Sequence, residues 1–81
     1  MKIQLLKGSF EPKELEKIIA DLIQVKIKFH EEKIELDGDE ESMKMRENRI
    51  IKLQNELAQV RNFIESNGKK ISVESEINLT A

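Results

Sequence analysis

Apolar residues recur at intervals of three and four along two segments of this 81-residue chain. This spacing is typical of amphipathic helices, because residues three and four apart lie on one side of an α-helix. Both segments continue one heptad phase, whose a sites are Leu15, Leu22, Phe29, Leu36, Met43, Ile50, Leu57 and Ile64. The d sites are Ile18, Val25, Glu32, Asp39, Arg46, Leu53 and Val60. The pattern predicts a mainly α, coiled-coil-like fold.

The shared phase leaves two folds open: one unbroken helix of about 55 residues, or an antiparallel two-helix hairpin. Three successive d sites, Glu32, Asp39 and Arg46, are charged and surround Gly38. Burying these charges without partners in the seam of a rod would cost several kcal/mol. Asp and Gly are also poor helix formers. We therefore favour the hairpin, with an acidic turn at 37–41.

The hairpin brings a sites of one helix opposite d sites of the other. The opposed apolar pairs include Leu22 with Leu53 and Val25 with Ile50. Glu32 and Arg46, the charged seam residues nearest the turn, then lie within about one helical turn of each other. We expect them to form a pair that fixes the register of the two helices. Replacing Arg46 alone by Leu would then leave Glu32 unpaired.

Alternating segments flank the helices. Apolar and polar residues alternate over 1–6 and again near the end of the chain, which is typical of short strands. Residues 23–29 alternate as well, so a strand there stays open, although the three-four spacing begins earlier and favours a helix. We expect a single domain of order β-α-α-β. Its predicted elements are strand 1–6, helix 11–36, turn 37–41, helix 42–66 and strand 70–79.

The apolar stripe of the first helix is too wide for one neighbouring helix, because Ile19, Ile23 and Ile27 extend it on one flank. Small scaffolds without disulfides or metals usually gain the missing burial by oligomerising. We therefore expect a four-helix homodimer. The predicted surface for the dimer or a partner contains Ile19, Ile23, Ile27 and Phe29.

Composition narrows the function classes. The chain has one His and no Cys, Trp or Tyr, which excludes a disulfide framework and thiolate metal sites. We expect no cofactor, no metal and no enzymatic activity. An active site built from Glu and Lys alone would be possible only if two chains shared it across a dimer interface. The longest run without a charged residue is five residues, too short for a membrane span or a signal-peptide core. We therefore expect a cytoplasmic protein without membrane contact.

Two groups of side chains could bind an anion and need an interpretation. Lys44, Arg46, Arg49 and Lys52 form the only basic concentration of the chain and could contact phosphates of a nucleic acid. The net charge of −2 and the acidic residues at helical spacing around them favour a solvated, salt-bridged face instead. Lys26, His30 and Lys33 could hold an anion, although a partly buried histidine beside solvated lysines is the simpler interpretation.

The sequence thus predicts a small, non-enzymatic, homodimeric helical hairpin that binds another protein or serves as a scaffold. Its contact surfaces are the flank of the first helix and the edges of the terminal strands, which can accept a further strand. The alternative is a weak nucleic-acid accessory protein that uses the basic residues of the second helix.

Overall fold

The computed structural model describes the backbone of residues 1–81 and every side chain except that of Asp37. The elements are β1 (Lys2–Phe10), α1 (Pro12–Asp37), α2 (Glu40–Asn67) and β2 (Ile71–Asn78). The predicted β-α-α-β order and the mainly helical content are confirmed. The continuous-rod alternative is wrong, because the molecule is 45 Å long, whereas an unbroken helix through both segments would measure about 84 Å.

The chain reverses direction over two residues. Gly38 follows the end of α1 with φ 61°, a left-handed conformation that glycine adopts without steric cost. Asp39 then caps α2, since its carboxylate accepts hydrogen bonds from the Glu41 backbone N–H at 3.3 Å and from the Ser42 hydroxyl at 3.2 Å. The acidic side chains at the start of α2 lie at the positive end of the helix dipole.

The two strands form an antiparallel ribbon that is longer than predicted on the β1 side. The sequence predicted a first strand that ends at residue 6, but β1 continues to Phe10, which pairs with Ile71. A β-bulge at Leu5 makes this possible, because one extra residue shifts the alternation of the strand. Leu6 and Phe10 thereby point to the same side of the ribbon as Ile3.

The core between the helices is small. Its buried apolar side chains are Leu15, Ile27, Leu53, Leu57 and Ile64. The predicted seam is correct for α2 but wrong for most of α1, where Leu22 is half exposed and Val25 is 69% exposed. Ile27, which the sequence placed on a free flank, is only 4% exposed.

Compared with the predicted seam, α1 is rotated about its own axis, and this rotation has a physical reason. Apolar residues cover so wide an arc of α1 that a single neighbouring helix can bury only part of it. The predicted seam would have brought the Glu32 carboxylate into the contact beside Arg46, and even a paired charge loses its hydration when it is buried. In the structure, α1 instead packs against α2 through the side of the helix that contains Ile27 and His30, and Glu32 is exposed.

The molecule is a thin layer. Its Cα extents are 45 × 32 × 13 Å, and the radius of gyration is 15.3 Å. A compact domain of this length has a radius of gyration of about 12 Å. Neither helix that the structure describes combines the length and apolar character needed to cross a bilayer.

Candidate functional site

One side of α1 carries an exposed apolar stripe. The stripe consists of Leu22, Val25, Phe29 and Leu36, whose spacing places them on one side of the helix. Phe29 is 49% exposed and Leu36 is 78% exposed. Exposed large apolar residues that occur singly are normal on a protein surface, whereas several on one side of a helix are typical of a contact surface. We call these four residues the α1 stripe.

Two concavities lie on the same face of the hairpin as the α1 stripe. The first, a basic pocket of about 360 Å³, lies between the two helices. Its lining residues are Lys26, His30, Arg49, Lys52, Leu53 and Glu56. Lys26 follows Leu22 by four residues and precedes Phe29 by three, so the pocket borders the stripe.

The second concavity is an apolar groove of about 670 Å³, where α1 and α2 meet β2. Its apolar lining residues are Leu15, Ile19, Val60, Phe63, Ile64, Ile71 and Val73. Glu56 lines both the basic pocket and this groove, which makes them neighbours. The α1 stripe, the basic pocket and the apolar groove together form what we call the open face.

A polar contact crosses the helix interface beside the basic pocket. Nη1 of Arg46 lies 3.0 Å from Nδ1 of His30. An arginine side chain can only donate, so Nδ1 must accept, and the proton of the neutral imidazole therefore resides on Nε2. The guanidinium of Arg46 also lies 5.7 Å from the centre of the Phe29 ring, within the range of a cation–π contact.

Burial and positive charge determine the protonation state of His30. His30 is only 3% exposed. The pKa of His30 is lowered from its usual 6.5, first because burial disfavours the charged imidazolium and then because Arg46, Arg49 and Lys26 lie nearby. His30 is therefore neutral at pH 7.

The residues predicted to contact a second copy or a partner lie partly in the core and partly on the surface. Ile27 is buried, and Ile19 and Ile23 are half buried, so this flank of α1 mainly serves the hairpin itself. Phe29 is exposed and belongs to the α1 stripe. The sequence therefore identified one residue of the exposed stripe but assigned the other three to the seam.

The structure does not bring Glu32 and Arg46 together. Among the described side chains no ion pair joins them, and Arg46 contacts His30 instead. The sequence predicted Glu32 as the partner of Arg46 at this seam position, whereas the contact that Arg46 makes is with His30. The rotation of α1 explains the exchange, because it directs His30 toward α2 and Glu32 toward solvent.

The four basic residues of α2 do not share one surface. Lys44 lies near the turn between the helices, which we call the elbow, in a mixed-charge depression that Asp39, Glu40 and Glu41 also line. Arg46 points into the interface, while Arg49 and Lys52 line the basic pocket. Of the four residues that the nucleic-acid alternative requires, only Arg49 and Lys52 therefore lie at one site.

Sequence reasoning missed how α2 completes the cationic line of α1. Lys26 and His30 line the pocket as part of that line, whereas the Lys33 ammonium lies 5.8 Å from the Phe29 ring centre. The predicted register, with Leu22 opposite Leu53, also places Lys26 opposite Arg49. The predicted register therefore already contains the signal that basic residues of the two helices meet.

The site contains no arrangement typical of a metal centre. No group of three His, Asp or Glu side chains within the described part of the chain is placed to hold a metal ion. Comparison of the chain with protein-family models, with curated proteins and with solved structures finds no match. Function must therefore be inferred from the open face itself.

Proposed function

We propose that this chain is a non-enzymatic interaction protein that works as a homodimer, in which two hairpins pack through the α1 stripe of the open face. The observation that supports this most directly is the α1 stripe. A helix that faces water on this side would have no reason to carry Leu22, Val25, Phe29 and Leu36 at core spacing. Two such hairpins stacked through their stripes form a four-helix bundle.

The exposed area supports a partner of substantial size. The chain exposes 6529 Å², whereas a compact monomer of 9.4 kDa exposes roughly 5,000 Å². If two copies each bury the difference of about 1,500 Å², the interface totals about 3,000 Å², which is typical of obligate homodimers.

A second copy is the occupant that best fits the stripe. A two-fold axis brings the same patch of both subunits together, so an apolar stripe meets an apolar stripe without a separate partner sequence. An antiparallel arrangement centred near Val25 would place Leu22 of one copy beside Phe29 of the other. The basic pocket borders this contact and stays hydrated at its rim.

The first test is the mass of the protein in solution, measured by light scattering after gel filtration. We expect about twice 9.4 kDa for the native chain and 9.4 kDa for Val25→Glu. Gln24→Glu is the matched control, because Gln24 is the exposed neighbour on another side of α1 and should leave the dimer intact. A native chain that stays monomeric at high micromolar concentration would refute the dimer.

The second test uses the absence of cysteine from the chain. Val25→Cys should form a disulfide-linked dimer rapidly on mild oxidation, since the two thiols would lie near the two-fold axis. Gln24→Cys should cross-link slowly under the same conditions. Equal rates for the two variants would show that the α1 stripe is not the contact.

A further inference from the structure

His30 is buried, yet one of its ring nitrogens has no partner. Among the described residues, neither Nε2 of His30 nor Nε of Arg46 has a hydrogen-bond acceptor. Both groups carry a proton in the tautomer that the contact between the two side chains requires. Buried polar groups are almost always paired, so two adjacent donors without an acceptor need an explanation.

His30 lines the basic pocket together with Lys26 and Leu53. Nδ1 and Nε2 lie on different edges of the imidazole, and the contact with Arg46 occupies the Nδ1 edge. Nε2 is the ring nitrogen that is left for a further partner.

The cations of the pocket are not neutralised by carboxylates. Within the described part of the chain, the ion pairs use Lys2, Lys17, Arg61 and Lys70. None of them involves Lys26, Arg49 or Lys52. Glu56 is the one acidic residue among the six that line the pocket, against three cationic side chains. The pocket therefore has an excess of positive charge beside a donor that lacks an acceptor.

We propose that the basic pocket binds the phosphate group of a small phosphorylated compound. Lys26 reaches the phosphate from α1, and Arg49 and Lys52 reach it from α2, while Nε2–H of His30 donates from the floor of the pocket. Cationic donors from two helices suit a tetrahedral oxyanion with several acceptor oxygens. The volume of about 360 Å³ is at the lower end of the range for small-molecule sites.

The lining argues against a nucleic acid as the ligand. Proteins that bind single strands combine cations with aromatic side chains on which bases stack. No aromatic side chain other than the His30 ring is among the lining residues of the pocket, and that ring is buried. This inference goes beyond the proposed dimer and does not depend on it, because both helices that form the pocket belong to one chain.

The single histidine allows a direct test by NMR, because the chain gives one imidazole Cε1–H signal. Inorganic phosphate and pyrophosphate are titrated separately, with sodium chloride at matched ionic strength as the reference. We expect a saturable change of the His30 signal with both anions and a rise of the His30 pKa at saturation, since a bound anion favours the imidazolium. Chloride should produce no saturable change.

Variants identify the ligating side chains. Lys26→Gln and Lys52→Gln should each weaken pyrophosphate binding roughly tenfold, the loss expected for one charge-assisted hydrogen bond. Lys28→Gln is the control, because Lys28 is exposed on α1 and does not line the pocket. These substitutions are on the surface and leave the core intact.

Several results would overturn the proposal. One is a His30 signal that stays unchanged through millimolar pyrophosphate, and another is an equal loss of affinity in the Lys28 control. A random oligonucleotide that shifts the signal while pyrophosphate does not would favour a nucleic-acid site instead. Repeating the titration with Val25→Glu separates the two proposals: unchanged affinity in a monomer keeps the phosphate site, whatever the outcome for the dimer.

Discussion

At the residue scale, a contact between His30 and Arg46 joins the two helices. Arg46 occupies a seam position of α2, where a charge without a partner would be costly. The rotation of α1 supplies His30 as an acceptor for Arg46 and leaves Glu32 in water. The contact is thus part of the reason why α1 presents one half of its apolar arc to α2 and the other half to solvent.

A double-mutant cycle measures this contact. We expect His30→Gln and Arg46→Gln to be coupled by about 1 kcal/mol, because each removes one side of the same hydrogen bond. The cycle of Glu32→Gln with Arg46→Gln should give a coupling near zero. Unfolding in urea supplies the four free energies for each cycle. Strong coupling only in the second cycle would restore the register pair that the sequence suggested.

The lowered pKa of His30 predicts a pH-dependent stability. In the unfolded chain His30 titrates near 6.5, whereas the folded chain holds it neutral to lower pH. As the pH falls through 6.5 toward the folded pKa, the unfolded state binds a proton that the native state excludes. The free energy of unfolding therefore decreases, by at most about 1.4 kcal/mol for each pH unit.

His30→Gln supplies the control for this measurement. The charged groups that face His30 are Lys26 on α1 and Arg46, Arg49, Lys52 and Glu56 on α2. Subtracting the pH profile of the variant from that of the native chain removes contributions of the carboxylates. The buffer contains no phosphate, since a bound anion would raise the His30 pKa. Parallel profiles for the two proteins would contradict the buried, neutral His30.

At the scale of elements, α1 is a helix with two apolar sides and α2 is a helix with one. The buried side of α1 completes the hairpin core through Ile27 and Leu15. The other side is the α1 stripe, whose four side chains are each at least two-fifths exposed. Different consequences follow for substitutions on the two sides.

Leu22 and Leu53 give a matched comparison, because the predicted seam paired them, whereas the structure buries Leu53 and leaves Leu22 half exposed. Leu53 is buried, so Leu53→Ala should destabilise the hairpin by roughly 2–5 kcal/mol. Leu22 is half exposed, so Leu22→Ala should cost less than about 1 kcal/mol in the monomer. Both are measured by chemical unfolding in the monomeric Val25→Glu background. Equal losses would support the predicted seam over the observed one.

The order of elements could be read from the sequence because it depends on local signals. Gly38 and Asp39 mark the elbow by composition alone, and the heptad spacing marks both helices. The rotation of α1 could not be read in the same way, since both halves of its apolar arc have helical spacing. The extension of β1 to Phe10 was also hidden, because the bulge at Leu5 shifts the alternation on which strand prediction depends.

At the scale of the whole molecule, the thin layer leaves much of the apolar surface in contact with water. The radius of gyration and the exposed area both exceed the values of a compact chain of this size. A second layer of the same shape would correct both quantities at once. If two chains pair as proposed, the stability of this protein is shared between folding and association.

This coupling makes the thermal midpoint a function of protein concentration. We expect the midpoint of the native chain to rise with concentration, because a dimer that forms only from folded chains shifts the equilibrium toward them. Circular dichroism over a hundredfold range of concentration, roughly the range that mass-action coupling requires, measures the shift. The Val25→Glu variant should melt at one temperature throughout. Superimposable melting curves for the native chain would mean that folding and association are independent.

The thinness of the layer has an implication for how such a chain persists in a cell. A molecule with five buried apolar side chains has little protection of its own, and opened chains are the substrates of proteases. In the proposed dimer, scarce copies would rarely meet and would be degraded, whereas abundant copies would pair and survive. The rate of synthesis then sets a threshold for accumulation, so that the amount of this protein responds more than proportionally to changes in its production.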